Sequence, residues 1–405
     1  MSDFSATTCV RAAVGTDQSY GAVIPPLHLS TNFTFKGLGD RRKYDYTRSG
    51  NPTRDILGET LAELEEGHGA IVTSSGMAAL TALVHLVDAD QLILAPHDCY
   101  GGTFRLLTAL HKQGRARVLF LDQGDHRAFE NAFTSGAEKV GLVLVETPSN
   151  PLLRVVDIAA ISAICRRHGA LLAVDNTFLS PALQRPLTLG ADLVVHSTTK
   201  YLNGHSDVVG GAVIAKTADL SERLTWWANC LGITGAPFDS FLTLRGVRTL
   251  SARIRLHEEN AAAVAQLLSD HPAVAKVYYP GLASHPGHAL ARAQQQGFGG
   301  IISFELNAGI AGVHAFLEGL TCFSLAESLG GVESLVAHPA SMTHASMAAE
   351  AQARAGITPQ LLRLSIGIEA TKDLICDVSL GLDRVQALRT QPRSDVDSVS
   401  RAATY

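Results

Sequence analysis

His196-Ser197-Thr198-Thr199-Lys200 is the stretch whose residue types and spacing could do the most chemistry. It follows an apolar run, Ala191 to Val195, that reads as a buried strand, and it precedes a polar, glycine-bearing loop, Tyr201 to Gly211. Lysine is rarely buried without a partner, so a lysine at the exit of a core strand needs a reason. Ser197 and Thr199 flank it at a spacing that brings two hydroxyls near one phosphate-sized anion. That is the layout of a lysine that forms a Schiff base with an aldehyde cofactor. A surface lysine after a strand fits the same five residues, so the rest of the chain has to decide.

Other polar residues sit just after predicted strands. Ser75-Gly76-Met77 lies at a strand-to-helix turn, where free backbone N–H groups and the helix dipole favour a phosphate. Tyr100 follows a strand and precedes Gly101-Gly102; Asn150 lies in Pro148-Ser149-Asn150-Pro151 after another; Asp175-Asn176 ends a third. In open α/β sheets, ligands sit outside the C-terminal strand ends. Several such residues at one sheet edge make a cofactor pocket the better reading. Further on, Glu327-Ser328-Leu329-Gly330-Gly331 stands out, as does Arg363 inside the apolar run Leu361 to Ile368. An arginine there needs an anionic partner. A substrate carboxylate held bidentately and an internal salt bridge to Glu369 or Asp373 both satisfy it.

The elements that must position these residues follow from periodicity. With 405 residues, two packed domains or one large one with an appendage are expected. Asn51-Pro52-Thr53 starts a helix that runs to about Glu66 and stops at Gly67. Strands then alternate with helices. The strands are Ala70 to Thr73, Leu92 to Ala95, Val118 to Leu121, Leu142 to Val145, Leu171 to Val174, Leu193 to Val195 and Gly211 to Ala215. Between them lie helices from Gly76 to about Val87, Gly102 to about Lys112, Arg127 to Phe133 and Ile158 to Arg167, with Leu220 to Asn229 after the last. Continuous Val/Leu/Ile strands between helices mean an α/β fold, a mainly parallel seven-stranded sheet covered on both faces. A helical stretch from Leu244 to about Leu268 leads to a smaller α+β domain. Its strands lie near Val274 to Tyr278, Ile301 to Leu306 and Leu362 to Ile368, and its helices near Gly312 to Leu317 and Ile375 to Leu388. Residues 1–50 show no sustained period and read as an arm reaching a neighbouring subunit. For Tyr46 and Arg48 in that arm, packing on the chain's own domain is the alternative. The expected division is 1–50 arm, 51–248 α/β domain, 249–390 α+β domain and 391–405 polar tail.

A net charge of −5 gives no electrostatic footprint for nucleic acid or an anionic membrane. The six cysteines form no Cys-x-x-Cys pair, and neither His285 with His288 nor His338 with His344 has an acidic or cysteine partner at ligand spacing. No metal is expected. Thin cysteine usage fits a reducing compartment, and a start lacking a charged-then-apolar layout fits the cytoplasm. No Gly-x-Gly-x-x-Gly follows the early strands, Gly297-Phe298-Gly299-Gly300 does not complete that spacing, and no Walker-type loop is present.

Taken together, the motifs resemble those of the transsulfuration enzymes of Cys/Met metabolism, which use pyridoxal 5′-phosphate (PLP). The resemblance covers Tyr20-Gly21 to about Leu388. It is carried by Tyr46-Thr47-Arg48-Ser49-Gly50-Asn51-Pro52-Thr53, Ser75-Gly76-Met77, Pro96-His97-Asp98-Cys99-Tyr100, Glu146-Thr147-Pro148-Ser149-Asn150-Pro151, Val174-Asp175-Asn176-Thr177, the Lys200 stretch, Glu327-Ser328 and the Arg363 strand. It implies the aspartate aminotransferase-like fold of type I PLP-dependent transferases. It also implies a homotetramer of two tight dimers, with active sites shared between subunits.

Mapped by motif, the resemblance implies that Lys200 tethers the cofactor, Asp175 faces the pyridine nitrogen and Tyr100 stacks on the ring. Gly76, Met77, Ser197 and Thr199 then hold the phosphate, joined by Tyr46 and Arg48 from a neighbour. Arg363 with Ser328 takes the substrate α-carboxylate, and Asn150 lies near the same end. Within the family, Asn203 to Val209, Trp226-Trp227 and Arg105 resemble the members that replace the γ-substituent of O-succinyl-L-homoserine with L-cysteine, giving L-cystathionine and succinate. Lyases acting on cystathionine and sulfhydrylases acting on homoserine esters share the machinery. Gly102 stands where methionine γ-lyases usually carry a cysteine, and Glu327 where the β-lyases tend to carry an aromatic. Arg105, Asp45 and Glu327 are the candidates for reading the distal groups of the substrates. A non-enzymatic regulatory role is disfavoured by the intact lysine, aspartate, tyrosine and arginine set.

Overall fold

The computed structural model describes residues 4–134, 139–345 and 347–390. In chain order the first elements are α1 (Phe4–Arg11), α2 (Pro52–Glu65), β1 (Gly69–Thr73), α3 (Gly76–Val84), β2 (Leu92–Pro96), α4 (Gly101–Lys112) and β3 (Arg117–Leu121). Then come α5 (His126–Thr134), β4 (Val140–Glu146), α6 (Ile158–His168), β5 (Leu171–Asp175), α7 (Ser180–Leu183), β6 (Leu193–His196), β7 (Gly211–Ala215) and α8 (Ala218–Leu231). Two helices, α9 (Pro237–Val247) and α10 (Leu250–Asp270), lead to β8 (Val274–Tyr278), α11 (His288–Gln294), β9 (Ile301–Leu306), α12 (Gly309–Leu317) and β10 (Phe323–Leu325). The last elements are β11 (Ser334–Ala337), α13 (Ala349–Ala355), β12 (Leu361–Ser365) and α14 (Thr371–Thr390).

The large sheet has seven strands in the order β1-β7-β6-β5-β4-β2-β3, all parallel except β7, which runs antiparallel to β1 and β6. Strands β2, β4, β6 and β7 are buried along their whole length, which is why their sequences are unbroken apolar runs. Successive side chains enter opposite cores: Val174 and Val194 join Leu57, Leu61 and Ile158 on one face, while Ala173 and Val195 join Leu80, Leu83 and Ile93 on the other. Because β2, β4, β5 and β6 run parallel, Pro96, Glu146, Asp175 and His196 all end on one edge. The register places Glu146 beside Asp175 and Asp175 beside Val195. The smaller sheet has the order β10-β11-β12-β9-β8 and packs Phe304, Val336 and Leu364 against Phe316, Val378 and Leu382 of α12 and α14.

Helix α2 starts as its sequence predicts. Asn51 Oδ1 accepts from the N–H groups of Thr53 (3.0 Å) and Arg54 (3.3 Å), and Pro52 sits at the first turn. Other expectations need correction. The N-terminal stretch is not free of regular structure: α1 packs on α2 and α10 and buries Cys9. Its eight residues are too short to show a period. The predicted helix from Leu244 is two helices, broken where Thr249 adopts φ −110°, ψ 5°. The strand carrying Arg363 ends at Ser365. Beyond it, the Ile366 N–H bonds Gly300 and the Ile368 N–H bonds Val332. The predicted tail, 391–405, lies outside the described residues. Among the described residues, no helix is long and apolar enough to cross a membrane.

Candidate active site

Lys200 lies in the turn after β6, mostly buried, with its Nζ donating to Ser328 Oγ at 2.7 Å. Burial and, less strongly, the Arg363 charge bring its pKa down from 10.5 to about 8, against the opposing pull of Glu327. Asp175 closes β5 and accepts from the Thr177 N–H at 3.0 Å. Burial raises its pKa, while the Thr177 bonds and the nearby His196 oppose that. His196 Nε2 lies 2.6 Å from Glu65 Oε1, both side chains fully buried, and the same oxygen accepts from Asn176 Nδ2 at 2.9 Å. Glu65 therefore joins α2 to the end of β6 and to the residue that follows Asp175.

At the start of α3, Ser75 Oγ caps the helix by accepting from the Ala78 N–H at 3.1 Å. Gly76 is pressed against Ser197: a Cβ at position 76 would lie 2.9 Å from Ser197 Cβ and 3.2 Å from its Oγ. A helix N-terminus, a hydroxyl and a glycine that cannot carry a side chain form a cradle for a phosphate. Thr199 has a further contact. Its hydroxyl accepts from the Gly210 N–H at 3.0 Å and lies 3.2 Å from Gly210 O, so it braces the following loop. Residues 198–200 form a turn, which carries Thr199 off the line an extended chain would share with Ser197.

The third cluster comes from the smaller domain. Arg363 on β12 is 2% exposed. Its Nη1 donates to Asn150 Oδ1 at 3.0 Å and its Nη2 to Ser328 O at 2.8 Å, while Nε has no hydrogen-bond partner among the described residues. No ion pair links it to Glu369 or Asp373 among the described residues, and Glu369 is taken up by Ser334, whose N–H and hydroxyl donate to it at 2.7 and 2.8 Å. Burial lowers the Arg363 pKa to about 10. A buried guanidinium with only neutral partners is an anion site. Ser328 stands at φ +86°, a conformation costly for a non-glycine residue and one that clusters at functional sites. Tyr100 precedes α4, partly exposed, with its ring beside Gly102 and Met77; Arg105 lies one turn further on.

The structure brings Lys200, Asp175, Tyr100, Gly76, Met77, Ser197, Asn150, Ser328 and Arg363 to one edge. Glu327 is exposed next to them and acts on Lys200 through its charge. Asp45, Tyr46 and Arg48 are not joined to this set within the chain. Arg48 Nε donates to Asn229 Oδ1 at 3.1 Å with its guanidinium over the Tyr46 ring, and Asp45 accepts from Ser49 Oγ at 3.0 Å. Sequence reasoning assigned no role to Glu146, Glu65 or Thr177. A carboxylate ending an apolar strand was the available signal for Glu146, whereas Glu65 is one of several glutamates in the last turns of α2 and gives none.

A buried lysine of lowered pKa at a strand exit, a carboxylate on the neighbouring strand end and a phosphate cradle at the same edge of this sheet define a PLP-dependent enzyme of fold type I. Residues 6–383 match the model of the Cys/Met metabolism PLP-dependent enzymes, and the chain belongs to that family. It is 56% identical to cystathionine γ-synthase of Escherichia coli, over 93% of this chain and 97% of that protein. It is 44% identical to cystathionine γ-lyase of Dictyostelium discoideum, over 93% and 97%. A crystal structure of cystathionine γ-synthase from Xanthomonas oryzae pv. oryzae in complex with cystathionine superposes with a TM-score of 0.93 at 59% identity, covering 95% of this chain and 98% of that one. The family uses PLP, and the residues present fit it: amine, carboxylate and phosphate cradle each match one functional group of the cofactor.

Proposed function

We propose that this protein replaces the γ-substituent of O-succinyl-L-homoserine with the sulfur of L-cysteine, giving L-cystathionine and succinate. Arg363 carries the reading: its buried guanidinium, with Nε unpartnered, shares Ser328 with Lys200. An amino acid held there by its carboxylate has its Cα near the amine. Identities of 56% and 59% to two synthases, against 44% to a lyase, favour replacement over elimination.

In this reading Lys200 Nζ tethers PLP, and Asp175 keeps the pyridine nitrogen protonated. The Tyr100 ring stacks on the cofactor. Gly76, Met77 and Ser197 hold the phosphate with Thr199, and Tyr46 and Arg48 of the partner subunit complete that end. When bound, PLP supplies an electron sink that acidifies the protons on substrate Cα and Cβ. Arg363, Asn150 and Ser328 hold the α-carboxylate and so orient the Cα–H bond. Once released by substrate, Lys200 Nζ takes the α-proton; its lowered pKa leaves about one amine in ten neutral at pH 7. A β-proton passes to a second base, for which Tyr100 is the candidate, the Cγ–O bond breaks, and succinate leaves with its electrons. The cysteine thiol then bonds Cγ, and protons return to Cβ and Cα. Tyr100 is a second acid/base candidate, and Arg105, Asp45 and Glu327 read the succinyl group and the distal amino group. The arm leaves Tyr20, Val23, Leu29 and Leu38 exposed, apolar surface of the kind another subunit covers. The working unit is a homotetramer, a dimer of dimers, in the cytoplasm, where six unpaired cysteines are at home.

Purified protein should be yellow, and Lys200→Ala should lose the cofactor bond that borohydride traps. O-succinylhomoserine with cysteine should yield cystathionine. Rapid 2-oxobutyrate release from cystathionine with little condensation would overturn the synthase reading in favour of a lyase. Arg105→Ala should weaken turnover of the succinyl ester more than that of the acetyl ester, and equal losses would remove Arg105 from the site.

A further inference from the structure

Glu146 ends β4 on the active-site edge, and nothing in the chemistry above uses it. Its side chain is 7% exposed. Both carboxylate oxygens accept backbone N–H bonds, Oε2 from Tyr100 at 2.9 Å and Oε1 from Asn150 at 2.8 Å. The donors belong to separate segments: Tyr100 is the residue before α4, and Asn150 lies in the loop after β4. Asn150 in turn accepts from Arg363, and the strand register sets Glu146 beside Asp175. One carboxylate therefore holds the backbone of the ring-stacking residue and the backbone of the residue that braces the carboxylate anchor. It also neighbours the partner of the ring nitrogen.

A buried carboxylate met only by neutral donors is expensive. Burial, and then the Asp175 charge, push its pKa well above the usual range. Its backbone is fixed as well, because its N–H donates to Gln123 Oε1 at 3.3 Å and Gln123 Nε2 donates to Leu144 O at 2.7 Å. An apolar residue of similar size would fill the space at lower cost but would leave two buried N–H groups unmet. Ser149 Oγ already joins the two loops by donating to Asp98 Oδ2 at 2.9 Å; what the Glu146 carboxylate adds is a link that reaches the backbones of Tyr100 and Asn150 themselves.

On the PLP reading given above, we propose that Glu146 is a positioning residue that fixes the Tyr100 ring relative to the Asn150–Arg363 anchor, holding cofactor ring and substrate backbone in one frame. Glu146→Gln tests it. The amide keeps the shape but has a single acceptor oxygen, and its NH2 group faces the other donor. Glycine is the probe, since it offers only an amino group and an α-carboxylate. In the holoenzyme the variant should keep one PLP per chain, lose about tenfold or more in glycine affinity by spectral titration, and change the visible circular dichroism of the cofactor. Asn150→Ala should weaken glycine too, and the double variant should be little worse than Asn150→Ala alone. Unchanged glycine affinity and circular dichroism, or fully additive losses, would overturn the proposal. If Glu146→Gln does not fold, Glu146→Asp, one methylene short of spanning both donors, is judged by the same two readouts. Wild-type protein without PLP would instead sink the functional reading, before any variant is made.

Discussion

At the scale of single residues, Lys200 offers the most direct test. Only the neutral amine attacks an aldehyde, and in the cofactor-free chain its pKa is about 8 rather than 10.5. The rate at which added PLP turns cofactor-free protein yellow should therefore rise with pH and level off above about 8. Arg363→Met removes a neighbouring positive charge and should move that inflection upward; an inflection that stays put would show that burial alone sets it. Gly102 gives a second prediction. A Cβ there would lie 2.5 Å from Tyr100 Cε1 and 2.8 Å from Met77 Sδ, too close for either to stay. Overpacking costs about 1–3 kcal/mol when neighbours cannot move, but the Tyr100 ring is 39% exposed and can swing outward. Gly102→Ala should accordingly leave the melting temperature near wild type while weakening PLP retention on dialysis and lowering kcat/KM; a large loss of melting temperature would place the strain in the core instead. Much of the site could be read from sequence at this scale, because a lysine, an aspartate or an arginine in an apolar run is an anomaly that local composition exposes. Thr199 shows the limit. Its hydroxyl has the type and spacing of a phosphate ligand, but its further bond to the Gly210 N–H, made from the turn at 198–200, is one that no pattern of residue types encodes.

At the scale of elements, apolar runs between helices revealed every strand of the large sheet, down to the four-residue β6, while two short strands of the smaller sheet went unseen. β10 has three residues and β11 four, so neither can show an alternation. They matter, because β10 and β11 flank the segment that carries Glu327 and Ser328. What holds β10 comes from a helix far away in the chain. Asp377 of α14, 3% exposed, accepts from the N–H groups of Thr321 (2.8 Å), Cys322 (2.8 Å) and Phe323 (3.2 Å) and from the Thr321 hydroxyl (3.0 Å). A single carboxylate thus does for the start of β10 what a cap does for a helix. Asp377→Ala would leave three backbone donors without their acceptor; Phe323 is buried, Cys322 half-buried and Thr321 exposed, so the loss should be about 1–3 kcal/mol. Denaturant unfolding should record it, and KM for the homoserine ester should rise as the Ser328 segment loosens. A change confined to stability, with KM intact, would show that β11 alone positions Ser328.

At the scale of the whole molecule, the two sheets meet along a seam of neutral buried histidines, and this sets how the fold responds to acid. His344 Nε2 lies 3.2 Å from Asn150 O, joining the smaller domain to the loop after β4. His257 Nδ1 donates to Ile366 O at 2.6 Å, tying α10 to the exit of β12. His285 accepts from the Gly287 N–H at 3.0 Å at the mouth of the cleft between β4 and β8. Burial brings all three pKa values from 6.5 down to about 4. The folded chain therefore keeps them neutral where the unfolded chain would protonate them. Their effect on stability is nil above pH 6.5, grows as the pH falls from 6.5 towards 4, and is constant below. At pH 5 each costs on the order of 2 kcal/mol, enough together to matter against a typical domain stability of about 5–15 kcal/mol. Glu146 works the other way, because its raised pKa lets the folded state take up a proton first as pH falls, which softens the loss. Asp175 and Glu258, whose pKa values burial also raises, act in the same sense as Glu146, so the acid response of the whole fold is a balance of the two sets and the histidine share has to be isolated by a variant. His257→Gln keeps a donor within reach of Ile366 O and removes one titrating group from the seam. Plotted against pH, its unfolding free energy should have a shallower slope near pH 5, with proton uptake on unfolding reduced by about one relative to wild type. A slope identical to wild type would mean that His257 is protonated in the folded chain, and the acid response would then have to come from the other two histidines alone.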